Sequence, residues 1–203
     1  MTLFDGETRS WDEVRDDALA CTNCPLWEPA GDTVFGEGPV PARIMLVGEQ
    51  PGDQEDRQTR PFVGPAGKVL DDALAEAKLE RSELYVTNAV KHFKFVQRGK
   101  RRIHQTPTAG ESKACHPWLR SELDLVKPEL LVLMGATAAK SILGSSFRLT
   151  QHRGEAVDSD AAPIVTATIH PSAVLRTDPS EREQYFASLV ADLRTAQELA
   201  GLR

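Results

Sequence analysis

The fold of this chain is indicated first by residues 44–52, which read Ile44-Met45-Leu46-Val47-Gly48-Glu49-Gln50-Pro51-Gly52. The first four form a short apolar run, typical of a strand that is buried on both faces. The next five are typical of a tight turn. Three similar apolar runs lie at residues 84–87, 130–134 and 164–169, and helical patterns separate them.

Buried strands that alternate with helices predict an α/β protein. We expect a three-layer α/β/α sandwich with a central four-stranded parallel sheet. Capping boxes at Ser10–Glu13 and Thr108–Glu111 predict the starts of two helices. A length of 203 residues and a hydrophobic content of 40% suit one core, so residues 1–203 are expected to form one domain.

Sites in such sheets form beyond the carboxyl ends of the strands. Four segments leave predicted strands at that edge: residues 48–52, Asn88 with the stretch after it, residues 135–137, and residues 170–172. Polar side chains that are far apart in sequence are therefore expected to converge there.

The stretch Lys91–His104 concentrates positive charge in a chain whose formal net charge is −6. No Asp or Glu occurs between Glu83 and Glu111. This concentration predicts a local contact with a polyanion, although a solvated loop is the ordinary alternative. The basic residues of the stretch are Lys91, Lys94, Arg98, Lys100, Arg101 and Arg102.

Composition excludes several classes of protein. The acidic net charge argues against a protein that coats nucleic acid with its whole surface. The polar N-terminus and the lack of a long apolar run predict no secretory signal and no membrane span, hence a cytoplasmic protein. Three cysteines, an odd number, are unsuited to a disulfide framework.

Cys21 and Cys24 have a spacing suited to one metal centre. Cys115 is a natural third ligand, although a cysteine on an apolar helix face is often only a small hydrophobe. His92 and His116 are both candidates for the fourth ligand. These residue types suit zinc as well as an iron–sulfur cluster.

Residues 64–68 look like a phosphate loop only superficially. A Walker motif needs a glycine where Phe62 stands and Ser or Thr where Val69 stands, which excludes that form of nucleotide binding. Phe62 itself fits either a core position or a stacking role in a loop.

These features together resemble the uracil-DNA glycosylase superfamily, specifically the iron–sulfur family 4 enzymes and their X-type relatives. Gly48–Gly52 matches the first active-site motif, and His170–Arg176 matches the second. Family 4 enzymes usually carry cysteine where this chain has His92. The resemblance therefore implies a 4Fe–4S cluster held by Cys21, Cys24, His92 and Cys115, with zinc as the alternative.

The resemblance also implies a mechanism and a set of site residues. The segment Lys100–His104 is an insertion typical of X-type enzymes, in which its histidine becomes covalently joined to DNA after uracil leaves. We accordingly expect His104 to capture C1′ of the sugar, with Glu49 orienting it or taking its proton. The expected uracil pocket consists of Gly48, Gln50, Phe62, Asn88 and His170, with Gln50 positioning base or sugar. The expected phosphate contacts are the six basic residues above, Ser172 and Arg176.

The implied partner is uracil-containing DNA, single-stranded or duplex, bound by a monomer associated with the nucleoid. Three other functions are compatible with parts of the sequence. The first is a turnover glycosylase in which His104 only lines the groove. The second is a metal-stapled nucleic-acid-binding module without catalysis, which leaves the two active-site motifs unexplained. The third is a small-molecule-binding α/β regulator, which the missing phosphate loop disfavours.

Overall fold

The computed structural model describes residues 9–202, so the start of the polar N-terminus, residues 1–8, lies outside the described residues. The strands are β1 (Ile44–Gly48), β2 (Leu84–Asn88), β3 (Phe95–Arg98), β4 (Arg101–His104), β5 (Leu130–Met134), β6 (Ala156–Val157) and β7 (Ile164–Thr168). The α-helices are α1 (Trp11–Leu19), α2 (Asp53–Gln58), α3 (Pro65–Ala77), α4 (Ala109–Val126), α5 (Ala136–Leu143), α6 (Leu149–His152), α7 (Pro171–Arg176) and α8 (Arg182–Leu199).

The central sheet has the strand order β2-β1-β5-β7-β6. Its first four strands are parallel, which confirms the predicted α/β fold with a four-stranded parallel sheet. The short strand β6 pairs antiparallel with β7 at the edge and was not predicted. Parallel pairing brings the carboxyl ends of the strands to one edge, where the candidate site lies.

Successive residues of a strand point to opposite faces of the sheet. All residues of the central strands are apolar or buried, so both faces are covered by helices. Leu46 packs on one face with Leu74 of α3 and Leu193 of α8. Met45 packs on the other face with Leu119 of α4. Burying one such side chain contributes about 1.5–3 kcal/mol. Within residues 9–202, no helix is both long and apolar enough to cross a membrane.

Both predicted capping boxes are present. The Ser10 hydroxyl accepts from the Glu13 amide, and the Glu13 carboxylate accepts from the Ser10 amide at 2.7 Å. Thr108 and Glu111 make the same exchange at the start of α4. Caps of this kind each stabilise a helix by about 0.5–2 kcal/mol. Helix α4 therefore begins at a fixed point just after the basic stretch.

The basic stretch is a β-hairpin rather than a loop. Strands β3 and β4 pair antiparallel, with Phe95 opposite His104 and Arg98 opposite Arg101. Gly99 has φ +58° in the connecting turn, a conformation that glycine adopts without strain. The hairpin holds His104 on a defined piece of secondary structure at the site edge of the sheet.

Candidate active site

The carboxyl ends of β1 and β2 form a tight floor around Gly48. Gly48 and Asn88 are opposite each other in the register of the two strands. A Cβ atom at position 48 would collide with the amide oxygen of Asn88 and with the Phe62 ring, so only glycine fits. The Asn88 Oδ1 atom is buried and has no hydrogen-bond partner among the described residues. Leaving such an acceptor unpaired costs about 1–3 kcal/mol, and a ligand N–H would recover that energy.

Phe62 is held above this floor in an unusual conformation. Its φ is +55°, a region that bulky residues rarely occupy outside functional sites. Its ring stacks on the His170 ring with centroids 6.0 Å apart and planes inclined by 28°. A side chain at Gly67 would collide with the Phe62 carbonyl, so the glycine lets α3 begin directly against it. The ring is also only 5% exposed and belongs to the core cluster that contains Leu70, so the structure gives Phe62 a core position, and stacking on a base stays a prediction.

His170 stands at the N-cap of α7 and is held as a neutral donor. The Ser172 backbone N–H donates to His170 Nδ1 at 3.1 Å, so the ring proton must be on Nε2. Burial lowers the His170 pKa to about 4, although the nearby Glu49 charge opposes this shift. At neutral pH the ring is therefore uncharged, and its Nε2–H is the donor.

Glu49 is near enough to both imidazoles of the site to act on them electrostatically. Its Oε1 accepts the Thr137 backbone N–H at 3.0 Å, which fixes the carboxylate against the start of α5. Gly135, with φ +95°, leaves the space that the carboxylate fills. The Glu49 charge acts to raise the pKa of both His104 and His170. A cation that formed between these rings would be stabilised by it.

Gln50 joins the first motif to the hairpin and fixes the tautomer of His104. Its Oε1 accepts the Lys94 backbone N–H at 3.1 Å, and its Nε2 donates to the Gln105 carbonyl at 2.9 Å. The amide orientation is thereby set. The Gln50 Nε2 atom then faces His104 Nε2 at 2.7 Å and must donate to it. His104 consequently has a lone pair on Nε2 and its proton on Nδ1.

Partial desolvation of the ring favours the neutral form of His104, although the residue as a whole is exposed. Desolvation lowers its pKa below the ordinary value, and the Arg176 charge acts in the same direction. The ring packs at 6.0 Å from the Phe93 ring. We predicted that Gln50 positions base or sugar, but its side-chain amide is fully used by the hairpin and by His104.

Arg102 anchors the hairpin to α2. Its guanidinium contacts the carboxylates of Asp53 and Asp56, each at 2.5 Å. It also lies over the rings of Phe93 and Phe95, at 5.4 and 5.0 Å from their centroids. Because the side chain is only 14% exposed and has two carboxylate partners, it works as a structural anchor rather than as a free phosphate ligand.

The predicted phosphate contacts divide into buried and exposed groups. Lys91 is 0% exposed and its ammonium contacts the Glu122 carboxylate at 2.5 Å, so the predicted phosphate contact is wrong for this residue. Lys94 is largely covered and pairs with Glu111 at 2.8 Å. Ser172 is half-buried beside His170. The exposed basic side chains are Arg98, Lys100, Arg101 and Arg176.

Of the four predicted cluster ligands, Cys24 and Cys115 contact each other, whereas Cys21 and His92 have other partners. A hydrogen bond from the Cys115 thiol lowers the Cys24 pKa to about 6, and that contact together with burial raises the Cys115 pKa. Cys115 Sγ also accepts the Lys91 backbone N–H at 3.4 Å, next to His92 in the chain. Cys21 Sγ accepts the Trp118 indole N–H at 3.1 Å. His116 is exposed elsewhere, which leaves His92 as the histidine of this region.

The hydrogen bonds of Thr33 assign a free ligand atom to His92. The Thr33 hydroxyl has one proton and donates it to the Ala18 carbonyl at 2.7 Å. It must therefore accept from His92 Nε2, which lies 3.2 Å away. His92 Nδ1 then carries a buried lone pair, and it has no hydrogen-bond partner among the described residues.

The spacing of the donors in this structure does not form a site for a single zinc ion. Zinc needs all its ligands within about 2.0–2.3 Å of one ion. Within residues 9–202, no three His, Cys, Asp or Glu side chains lie close enough together for one ion. A cluster with several iron atoms takes its ligands at separate metal atoms and so accepts a wider arrangement.

Sequence reasoning missed the role of Glu55. Its carboxylate accepts the Gly52 N–H at 2.8 Å and the Gly64 N–H at 3.1 Å. It therefore ties the first-motif turn to the loop that carries Phe62. The acidic residues of α2 were a usable signal, since Asp53 and Asp56 could have been matched to the basic stretch by charge.

Comparison with known proteins agrees with this arrangement. The model of the uracil DNA glycosylase superfamily matches residues 35–194. A type-4 uracil-DNA glycosylase from Thermotoga maritima is 36% identical over 83% of this chain and 84% of its own length. A type-4 uracil-DNA glycosylase from Sulfurisphaera tokodaii is 34% identical over 94% of this chain and 85% of its own length. Another from Archaeoglobus fulgidus is 31% identical over 95% of this chain and 94% of its own length. The chain therefore belongs to the uracil-DNA glycosylase superfamily and is similar to its type-4 members.

Proposed function

We propose that this protein excises uracil from DNA and is then joined covalently to the abasic sugar through His104. The observation that carries the covalent step is the neutral His104 ring, whose Nε2 lone pair is presented by the rigid hairpin beside Gln50. Superfamily membership supports the excision step.

Uracil recognition needs a donor, an acceptor and a stacking surface. The unpaired Asn88 Oδ1 is suited to accept the uracil N3–H, which cytosine lacks. The Phe62 ring is suited to stack on the base, and such stacking contributes about 1–3 kcal/mol. A flipped or single-stranded uridine is required, because an enzyme cannot reach a base that is stacked inside a duplex.

Departure of uracil breaks the bond between N1 and C1′, and the electron pair leaves with the base. The His170 Nε2–H then donates to the uracil O2 and stabilises the anion, the task of an oxyanion-hole donor. The sugar retains positive charge at C1′. Glu49, which raises the pKa of both rings, stabilises that charge.

Capture of the sugar forms a bond from His104 Nε2 to C1′. The lone pair of Nε2 supplies both electrons, and the Nδ1 proton stays on the ring. The product is an alkylated imidazolium whose positive charge the Glu49 carboxylate offsets. Gln50 must release Nε2 first, so its hydrogen bond both sets the tautomer and delays the attack.

Cys21, Cys24, Cys115 and His92 would hold a 4Fe–4S cluster, with His92 Nδ1 as the nitrogen ligand. When bound, the cluster supplies a structural cross-link between the N-terminal arm, the end of β2 and α4. The purified protein should contain iron and acid-labile sulfide in equal amounts. Stoichiometric zinc without sulfide would contradict this cofactor.

A turnover glycosylase is the second candidate function. The Gln50 hydrogen bond to His104 Nε2 favours it, since that bond competes with attack on the sugar and gives water time to react. In that case free uracil would exceed the protein many times over.

A denaturing gel separates the two functions. Wild-type protein mixed with uracil-containing single-stranded DNA should give a band that survives heat and detergent, while His104→Ser should not. The matched control is His152→Ser, which alters an exposed histidine on α6 that contacts Glu155. If only free uracil and abasic DNA form, covalent capture is excluded.

A further inference from the structure

An open groove of about 750 Å³ runs beside the active site, between the start of α4 and α5. Its apolar floor includes Pro107 and Pro117, and its rim carries Lys113, His116 and Lys140. All three rim side chains are exposed, and none has a role in the mechanism above.

The groove is continuous with the active site at one end. Its first lining residue, Thr106, directly follows Gln105, whose carbonyl accepts the Gln50 amide. Thr137 lines the groove and donates its backbone N–H to Glu49. The groove therefore adjoins the part of the active site that contains Glu49 and Gln50.

The charge of the groove is opposite to that of the whole protein. No Asp or Glu is among the described residues that line it, whereas the formal net charge of the chain is −6. An apolar floor below ammonium groups matches a polynucleotide strand, whose sugars and bases are weakly polar and whose phosphates are anionic.

We propose that this groove binds the nucleotides next to the target uridine in the same DNA strand, which presupposes the uracil-DNA activity proposed above. Lys113 and Lys140 contact phosphates on the rim, and the proline floor packs against a sugar or base. The groove thereby guides the strand into the pocket from one side of the uridine.

Salt dependence tests this site. The half-saturating concentration of uracil-containing single-stranded DNA for uracil release is measured from low to high salt. The slope of the logarithm of this concentration against the logarithm of salt concentration should be lower by about 1.4 in the doubly substituted K113A/K140A variant. Each lost phosphate contact lowers that slope by about 0.7.

The matched control removes two charges from the opposite edge. Lys78 and Lys127 are the C-cap residues of α3 and α4. They lie on the side of the sheet where β2 and β5 begin, whereas the active site lies where the strands end. Both have left-handed backbones that Asn tolerates, so K78N/K127N is the control and should keep the wild-type slope. Trimming the DNA on the groove side should weaken wild-type binding more than it weakens binding by K113A/K140A, which keeps only the contact with the proline floor.

The two possible failures are distinguishable. If the wild type releases uracil but K113A/K140A and K78N/K127N share one salt slope, the groove does not bind DNA and the inference is overturned. If the wild type releases no uracil, the proposed function itself fails, and the groove assignment fails with it.

Discussion

Replacing Gln50 by Leu should separate covalent capture from base excision. The Gln50 side chain makes four hydrogen bonds to the hairpin region, to the Lys94 N–H, the Gln105 carbonyl, His104 Nε2 and, at 3.4 Å, the Lys94 carbonyl. The substitution leaves the two closely bonded backbone groups, the Lys94 N–H and the Gln105 carbonyl, partly buried without this partner. At about 1–1.5 kcal/mol each, this loosens the hairpin by about 2–3 kcal/mol.

Loss of the hydrogen bond to His104 Nε2, which delays attack, works in the other direction by about 1 kcal/mol, so capture should lose about 1–2 kcal/mol in all. Since 1.4 kcal/mol corresponds to a factor of ten, we expect covalent capture to slow by about 5- to 30-fold. Uracil release should fall less than about threefold, because Asn88, Phe62 and His170 lie outside the hairpin. Free uracil and adduct are quantified from the same single-turnover time course. The control, Gln97→Leu, makes the same chemical change on an exposed part of the hairpin. Equal losses of both products, or an unchanged adduct rate, would refute the role assigned to Gln50.

Three further outcomes are expected. Arg102→Leu leaves the buried Asp56 carboxylate unpaired and releases the hairpin, so adduct formation should slow about tenfold or more while uracil release persists; equal rates of adduct formation would contradict the anchor. Lys91→Met strands the buried Glu122 charge and should lower the free energy of unfolding by about 3–5 kcal/mol. K91M/E122Q removes that charge and keeps an oxygen to accept from Gly36, Tyr85 and Thr87, so it should recover part of the loss, as denaturant titration would show. Because burial lowers the His104 pKa, its Nε2 lone pair survives below the ordinary histidine pKa of about 6.5. The adduct rate should therefore stay level as pH falls through that value and drop only at lower pH; an inflection at or above it would show that the pKa is not lowered.

The parallel sheet was predictable because each central strand is a continuous apolar run. Strand β6 was not, since two residues are too few to show any periodicity. The hairpin was hidden for another reason. Its sequence is dominated by charge, and the pairing of Phe95 with His104 depends on long-range anchoring by Arg102.

Site residues at strand ends were predictable because topology brings them together. Side chains whose partners are distant in sequence were not. Lys91 is buried because Glu122, on a helix 31 residues away, neutralises it. Spacing left His92 and His116 both open as cluster ligands, and the family resemblance selected His92; the structure buries His92 and exposes His116, and the ligand role stays a prediction. The X-type assignment stays a prediction, since the comparisons support the superfamily and the type-4 relatives only.

Mass analysis of the reaction product tests the central claim most directly. After reaction with a uracil-containing oligonucleotide, the intact adduct should have the summed mass of protein and DNA less one uracil. After digestion, the peptide that carries the sugar should be the one containing His104, with the bond at its imidazole. Unmodified protein beside free uracil, or a sugar attached to any other residue, would contradict the account.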